Sequence, residues 1–318
     1  MADITLNDII QASTRIAGVA RRTPLEYSRW LSSDHKREVL LKLECLQVTG
    51  SFKLRGAMSK LSRLTADQRA RGVLTVSAGN HGAAVAHCAE ALGVDATIVV
   101  PESASRAKVE AIRRYPVTLI ERGASYDDAE RAARAMELES GAVFVSPYND
   151  EDVIAGQGTI AIEMLEVSPD LEAILVPVGG GGLIAGVAIA ARAIKPSIKI
   201  YGVEPEASPT MTASLQAGKV IQIEEEETIA DGLAGNVEPE SITFPIIQAL
   251  VDGIILVGEK AIRNSIARVA REDHFMIEGS GAAAVAALSD PVIQSQRVAA
   301  IITGRNITLD LFNRVVAG

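Results

Sequence analysis

Lys53 is the residue of this chain whose surroundings best suit covalent chemistry. An apolar run at residues 39–43 predicts a strand, and the polar turn Thr49-Gly50-Ser51 then leads into a segment with helical spacing. We therefore expect Lys53 in the first turn of a helix, where the positive helix end and partial burial lower the pKa of an amine. Free amine is the nucleophile that Schiff-base formation needs. An ordinary solvated helix lysine is the alternative interpretation.

A second turn equipped for binding follows a predicted strand at residues 73–76. Its sequence is Ser77-Ala78-Gly79-Asn80-His81-Gly82, and it opens a predicted helix that runs to residue 92. The turn offers backbone N–H groups at a helix N-terminus, hydroxyl and amide side chains, and glycines that permit close approach. These groups suit a carboxylate ligand. An ordinary helix cap at Ser77 or Asn80 is the alternative.

A third turn, Gly179-Gly180-Gly181-Gly182-Leu183, lies between a predicted buried strand at 173–178 and a predicted helix at 183–194. Four consecutive glycines expose main-chain N–H groups, and the helix N-terminus behind them suits a phosphate. A dinucleotide site is the alternative, because Gly180, Gly182 and Ala185 fit the G-x-G-x-x-A spacing and Glu204 ends the next predicted strand. The Walker pattern fails, since no Gly-Lys-Ser/Thr follows.

The fourth turn, Thr303-Gly304-Arg305-Asn306, ends the last predicted strand at 297–303. The Thr303 hydroxyl there could hydrogen-bond a ligand heteroatom or cap the following segment. In open α/β sheets, ligands bind in the crevice at the carboxyl ends of the strands. The four turns are therefore expected to meet at one site.

The alternation of predicted strands and helices indicates an α/β protein. Strands at 73–76, 97–100, 117–120 and 142–145 alternate with helices, which predicts a small parallel sheet with right-handed crossovers. The remaining strands, at 39–43, 173–178, 198–203, 252–257 and 297–303, predict a second, larger sheet. We expect two open, mostly parallel sheets flanked by helices. A large domain at 1–70 and 147–318 then holds an inserted small domain at 71–146.

Composition narrows the class of protein further. The chain has 318 residues, 48% of them hydrophobic, and a net charge of −9, so it can bury a large core but has no basic stripe for nucleic acid. Two cysteines make no disulfide framework and no zinc spacing. No run has the length of a membrane span, and no signal peptide is evident. We expect a soluble cytoplasmic protein without nucleic-acid or membrane partners.

Together these motifs resemble the pyridoxal-phosphate-dependent serine/threonine dehydratases of fold type II, whose fold is like that of the tryptophan synthase β-subunit. The resemblance runs from Ile9 to about Asn306 and rests on the four turns together with Gly156-Gln157-Gly158-Thr159 and Ala230-Asp231-Gly232-Leu233. The exact residues of these motifs, notably Thr-Gly-Arg-Asn, are similar to those of the threonine-dehydratase-like enzymes of hydroxyectoine breakdown.

The resemblance implies a role for each turn. Lys53 would be the Schiff-base lysine with Phe52 beside the ring of pyridoxal 5'-phosphate, and Asn80 would bond the phenolic oxygen of that cofactor. Thr303 would face the pyridine nitrogen. The substrate carboxylate would go to Ser77, Asn80 and His81, and the cofactor phosphate would be held by Gly179, Gly180, Gly181, Gly182 and Leu183.

Three departures from the family pattern qualify this picture. Serine racemases of this fold place an acid/base serine where this chain has Ala78, so elimination is favoured over racemisation. Arg305 replaces a common glycine and could select an acidic substrate, although an outward-pointing side chain is the favoured alternative. Some relatives bind a divalent cation through a Glu and an Asp. Here Glu204 is present, but Thr210 stands where that Asp would be, so no metal is expected.

The expected reaction is β-elimination from a 3-hydroxy amino acid, which gives a 2-oxo acid and ammonia. Threonine, serine, 3-hydroxyaspartate or a hydroxyectoine-derived amino acid would fit as substrate. Three alternatives stay open: an amino-acid racemase of the same fold, an NAD-dependent oxidoreductase that uses residues 179–182, and a non-catalytic member that binds a ligand and regulates a partner. The resemblance also implies a homodimer or a higher homo-oligomer.

Overall fold

The computed structural model describes residues 4–318, apart from the side chain of Asp127, and folds them into two open sheets flanked by helices. The strands are β1 Leu25–Tyr27, β2 Glu38–Lys42, β3 Val73–Val76, β4 Ala96–Val100, β5 Thr118–Glu121, β6 Val143–Phe144, β7 Ala173–Pro177, β8 Lys199–Pro205, β9 Gly253–Val257 and β10 Arg297–Ile301. The helices are α1 Leu6–Ile16, α2 Arg29–His35, α3 Lys53–Leu61, α4 Ala66–Arg71, α5 Asn80–Leu92, α6 Arg106–Ile112, α7 Tyr126–Ser140, α8 Glu151–Val167, α9 Gly182–Ile194, α10 Thr210–Ala217, α11 Thr243–Leu250, α12 Glu259–Glu272, α13 Gly279–Ala286 and α14 Leu309–Ala317.

Parallel pairing dominates both sheets, which confirms the predicted fold class. The larger sheet has the order β1-β2-β10-β7-β8-β9, and the smaller has the order β5-β4-β3-β6. Only β1 is antiparallel, to β2, among the strands of residues 4–318. The parallel register of β10 with β2 brings Ile301 opposite Lys42. The carboxyl end of β10 therefore lies beside the chain that leads to Lys53.

Two helices have the predicted bounds, and several short elements were not predicted. Helical spacing predicts helices at residues 126–140 and 259–272, and α7 and α12 have these bounds. The same spacing predicts an opening helix at residues 6–20, but α1 stops at Ile16, because Gly18 adopts a left-handed φ of +84°. The polar stretch 67–71, whose composition predicts a boundary between lobes, forms α4 with a Thr65 capping box. The sequence did not predict four short elements, because none has a long periodic pattern: strand β1 and helices α10, α11 and α14.

The two sheets occupy separate parts of the chain. All four strands of the small sheet lie between residues 73 and 144, and those of the large sheet lie outside that range. We therefore propose that the small domain spans residues 71–146. The apolar side of α3, which includes Leu54 and Met58, packs in one cluster with Val85 of α5 and Ile98 of β4. Helix α3 thus joins the two domains.

None of the helices within residues 4–318 combines the length and the apolar character that crossing a membrane requires.

The Gly156-Gln157-Gly158-Thr159 motif lets three helices pack closely. A Cβ added at Gly156 would lie 2.5 Å from the carbonyl oxygen of Arg55 on α3, and one at Gly158 would lie 2.8 Å from the carbonyl oxygen of Gly186 on α9. Larger side chains would push the helices apart. The motif therefore sets the distance between the Lys53 helix and the helix behind the four glycines.

A buried cluster of four charges fixes the start of α3. The Arg55 side chain, which is fully buried, binds Glu44 with Nε and Nη2, each at 2.8 Å, and Glu163 with Nη1 at 2.6 Å and Nη2 at 2.9 Å. Lys42 also binds Glu163 and donates to the Thr23 carbonyl at 2.8 Å. Although burial raises the pKa of Glu44, the adjacent Arg55 outweighs it and holds that pKa below its usual value. Two cations and two carboxylates thus balance in the interior.

Replacing Arg55 with methionine is expected to destabilise the protein by about 3–5 kcal/mol, because two buried carboxylates would share only Lys42. Urea unfolding at pH 7 measures this loss. The matched control is R63A, which breaks the pair with Asp152 at a side chain that is 59% exposed and should cost less than about 1 kcal/mol. Equal losses in R55M and R63A would contradict the role of the buried cluster.

Candidate active site

Lys53 is the first residue of α3, as predicted, and its side chain is half-buried. Its Nζ donates to the carbonyl oxygen of Pro147 at 2.9 Å and lies 5.1 Å from the centre of the Phe52 ring. Burial lowers the pKa of Lys53 to about 8. The lowered pKa that the sequence predicted is therefore present, and desolvation is its cause. A neutral amine is available near physiological pH.

The turn before Lys53 is bound to the end of β10. The N–H of Phe52 donates to the carbonyl oxygen of Thr303 at 3.1 Å, and Ser51 forms an antiparallel bridge with Gly304. The Thr303 side chain is buried, and its Oγ1 has no hydrogen-bond partner among residues 4–318. A buried hydroxyl without a partner is costly, so a ligand heteroatom at this position would satisfy it.

The four glycines at residues 179–182, hereafter the glycine loop, lie where β7 passes into α9. Gly181 has φ +88°, and a Cβ there would lie 2.6 Å from Ile247 Cδ1 and 2.9 Å from Thr243 Oγ1. A Cβ at Gly180 would overlap the Tyr148 ring. Only glycine fits, and the main-chain N–H groups at the α9 N-terminus form a cradle suited to a phosphate.

The turn at residues 77–82, hereafter the substrate loop, opens α5, as predicted. The first N–H groups of a helix have no partner within the helix, so those of Asn80 and His81 are available to a carboxylate. The Ser77 hydroxyl accepts from the N–H of Gly79 at 3.1 Å, which shapes the turn. Asn80 donates from Nδ2 to Glu278 at 2.7 Å. The turn therefore faces the large domain across the crevice.

The His81 ring points away from this carboxylate position. Its Nε2 is 2.9 Å from the carbonyl oxygen of Val145, and burial, together with the charge of Lys53, lowers the pKa of His81 to about 3. The ring is therefore neutral and donates to Val145. His81 can serve a substrate carboxylate only through its backbone N–H.

Two site residues were not predicted from the sequence. Tyr148 packs against the glycine loop, and its hydroxyl accepts from the N–H of Glu238 at 3.0 Å. Its position just after β6, at the carboxyl end of a parallel strand, was the signal available in the sequence. Glu278 precedes α13 and approaches Asn80 only through the tertiary fold.

Glu204 caps a helix. Its Oε1 accepts from the N–H of Met211 at 2.8 Å, and its Oε2 accepts from the N–H and hydroxyl of Thr212 at 2.9 and 2.6 Å. Both oxygens are thus engaged at the start of α10, which leaves the dinucleotide interpretation without its ribose ligand. Among residues 4–318, no group of three or more His, Cys, Asp or Glu side chains is placed to hold a metal ion.

Arg305 lies on the outer side of the last turn. Its side chain is exposed, while its backbone N–H donates to the carbonyl oxygen of Gly50 at 3.0 Å. This placement agrees with the outward-pointing alternative.

The residues present fit pyridoxal phosphate. An aldehyde would meet the neutral amine of Lys53, a phosphate would meet the glycine loop, and the unpartnered Thr303 hydroxyl would meet the ring nitrogen. These three groups come from different parts of the chain, and the hydrogen bond between Phe52 and Thr303 holds two of them together.

Comparisons with known proteins agree with this fit. The family model described as pyridoxal-phosphate dependent enzyme matches residues 16–304. An L-threonine ammonia-lyase of Thermotoga maritima is 41% identical over 314 residues, which are 98% of this chain and 78% of that protein. A catabolic L-threonine dehydratase of Escherichia coli is 39% identical, covering 98% and 96%. The structure of maize serine racemase is 37% identical, with a TM-score of 0.93 and coverage of 98% and 97%.

The pKa of Lys53 makes its reactivity depend on pH in a specific way. Because that pKa is lowered to about 8, the rate at which the apoprotein captures pyridoxal phosphate on Lys53 should rise by about tenfold per pH unit and level off above pH 8. Borohydride trapping followed by peptide mapping measures the rate at each lysine. In the same digests Lys199, whose pKa is raised by Asp252, should show no plateau below pH 10. A plateau for Lys53 only near pH 10 would contradict its burial.

Proposed function

The chain belongs to the pyridoxal-phosphate-dependent enzymes, and from that premise we propose that it is an ammonia-lyase acting on L-threonine and L-serine. The observation that carries the proposal is the partly buried amine of Lys53, which is held beside an unpartnered neutral hydroxyl at Thr303. Relatives named threonine ammonia-lyase and threonine dehydratase cover nearly the whole chain and support the substrate class.

The proposed binding roles follow from the positions of the side chains. N–H groups of the glycine loop and of Leu183 would bind the phosphate at the positive end of α9. Asn80 would hold the phenolic oxygen, Phe52 would lie beside the ring, and the Thr303 hydroxyl would serve the ring nitrogen. When bound, pyridoxal phosphate supplies a conjugated ring that accepts the negative charge formed at the substrate Cα.

The proposed proton transfers centre on Lys53. The substrate carboxylate binds the free N–H groups at the start of α5, which orients the Cα–H bond toward the amine. Lys53, as a neutral amine, removes that proton and returns it to the departing β-hydroxyl, so that water leaves. Thr303 is a neutral partner and does not keep the ring nitrogen charged, which favours elimination. The released enamine hydrolyses to a 2-oxo acid and ammonia.

A serine racemase is the second candidate, because maize serine racemase shares the fold closely. Racemisation needs an acid/base group on the face opposite Lys53. The substrate loop carries Ala78 at the position where the racemases of this fold place a serine, and the alanine methyl group cannot transfer a proton. Elimination is therefore the favoured reaction. Use of a hydroxyectoine-derived substrate stays a prediction.

Replacing Lys53 with alanine should abolish 2-oxo acid release from threonine and serine, because Lys53 is the group proposed to remove the Cα proton. Release is measured by a coupled dehydrogenase assay on the holoenzyme. The control K199A removes a lysine that is 52% exposed and bound to Asp252, and it should keep the full activity. Turnover retained in K53A, or wild-type protein inactive on both amino acids, would overturn the proposal.

Introducing a serine at position 78 should create racemase activity. The new hydroxyl could protonate the opposite face, so D-serine formation from L-serine should rise on the order of a hundredfold in A78S. Chiral chromatography measures the product. A83S places the same hydroxyl farther along α5, at another half-buried alanine, and should leave D-serine formation unchanged. An equal rise in both variants would contradict the role given to Ala78.

A further inference from the structure

The amide of Asn80 is held at both ends by groups of the large domain. Its Nδ2 donates to Glu278 Oε1 at 2.7 Å, and its Oδ1 accepts from Asn306 Nδ2 at 2.6 Å. An ionised carboxylate only accepts hydrogen bonds, so the amide nitrogen must face Glu278. Nδ2 carries two hydrogens, and Glu278 accepts a hydrogen bond from one of them. The second is left for a ligand.

Asn306 closes the network. Its backbone N–H donates to Glu278 Oε2 at 2.9 Å, and its Nδ2 also donates to the carbonyl oxygen of Thr49 at 2.9 Å. The network thus joins the turn before Lys53, the start of α5, the residue before α13 and the end of the last strand. Only Asn80 among these residues lies within the small domain, so the hydrogen bonds cross the crevice.

The space around the Glu278 carboxylate is shaped for it. A Cβ at Gly304 would overlap Glu278 Oε1, and a Cβ at Gly281 would lie 2.6 Å from the carbonyl oxygen of Gly304. Glu278 is the N-cap residue of α13, yet its side chain does not cap that helix. The buried Glu278 carboxylate accepts from Asn80 and leaves the N–H groups of its own helix without a side-chain cap. This choice of partner indicates that the role of Glu278 is at Asn80.

No direct ion pair within the described part of the chain neutralises the charge of Glu278. Its side chain is 7% exposed, and burial raises its pKa to about 7, while the hydrogen bond from Asn80 opposes that rise. Asp231 raises the pKa further, and the N–H of Asn306 and the more distant Lys108 lower it. The two amide donors are therefore the groups that stabilise the buried carboxylate.

We propose that Glu278 is a positioning residue, which together with Asn306 fixes the orientation of the Asn80 amide and clamps the small domain onto the large one. The part that concerns the cofactor rests on the proposed function, since Asn80 would present its second N–H to the phenolic oxygen of pyridoxal phosphate. Glu278 acts on the cofactor through Asn80 and does not touch it.

The test uses a double-mutant cycle of E278Q and N80A. Glutamine keeps the size and one acceptor but places an NH₂ group against the N–H groups of Asn80 or Asn306, so E278Q should weaken pyridoxal phosphate binding by about tenfold. In the N80A background E278Q should have no further effect. The dissociation constant is read from the visible absorbance of the apoprotein titrated with pyridoxal phosphate.

The second readout needs no cofactor. Hydrogen exchange of the apoprotein should become about tenfold faster at the Asn306 N–H and along α5 in E278Q. The matched control is E204Q, which alters another buried carboxylate that accepts backbone N–H groups, at α10. It should leave both the cofactor affinity and exchange along α5 unchanged.

The outcomes separate this inference from the proposed function. An equal loss of affinity from E278Q with and without Asn80 would show that Glu278 acts directly, and unchanged exchange in E278Q would exclude the clamp. Either result overturns the inference while the enzyme still binds its cofactor. Wild-type protein that traps no pyridoxal phosphate on Lys53 would refute the proposed function. The exchange data would then still decide whether Glu278 clamps the domains.

Discussion

The site depends on the buried contact of Arg55 with Glu44 and Glu163. Charges in the interior lose several kcal/mol of hydration each, and only a complete set of partners offsets that loss. Lys42 completes the set, so these ion pairs join β2, the segment after it, α3 and α8. Lys53 lies two residues before Arg55 on the same helix. Its amine is therefore placed by a cluster that takes no part in the chemistry.

Two glycines of α8 set the position of α3 relative to the glycine loop. Gly156 brings the backbone of α8 against Arg55, and Gly158 brings it against Gly186 of α9. Helix α9 begins in the glycine loop, so α8, which packs on both α3 and α9, sets the spacing between the amine and the phosphate cradle. Because close-packed interiors transmit displacement, enlarging either glycine of α8 would change the distance between the two.

Polar groups are satisfied differently in the core and in the crevice. The guanidinium of Arg55 finds acceptors on every side, whereas the hydroxyls of Ser51 and Thr303 are buried with no partner among residues 4–318. Buried polar groups are nearly always hydrogen-bonded, so such a concentration beside Lys53 marks a place that a ligand completes. Glu278 is an intermediate case, since it accepts from the backbone N–H of Asn306 and from Asn80, the amide that we propose to face the ligand.

The sequence by itself determined the fold class, the family and the turns proposed to carry the chemistry. Helices such as α7 and α12 have strong local periodicity, β3 is an apolar run between polar turns, and the motifs around Lys53 and the glycine loop predict turns of their own. Local pattern also sufficed to place Lys53 in the first turn of a helix. Short elements such as β1 were not predicted, because three residues show no periodicity and form a strand only by pairing with β2.

Only the tertiary structure decided how the side chains of those turns are used. His81 lies in a binding motif, yet its ring is bound to Val145, and Glu204, a candidate ligand for a ribose or a metal, caps α10. Glu278 is separated from Asn80 by 198 positions, so no local pattern could join them. Residue type and spacing determine what a turn can bind. The direction of a buried side chain depends on partners that the fold brings from elsewhere in the chain.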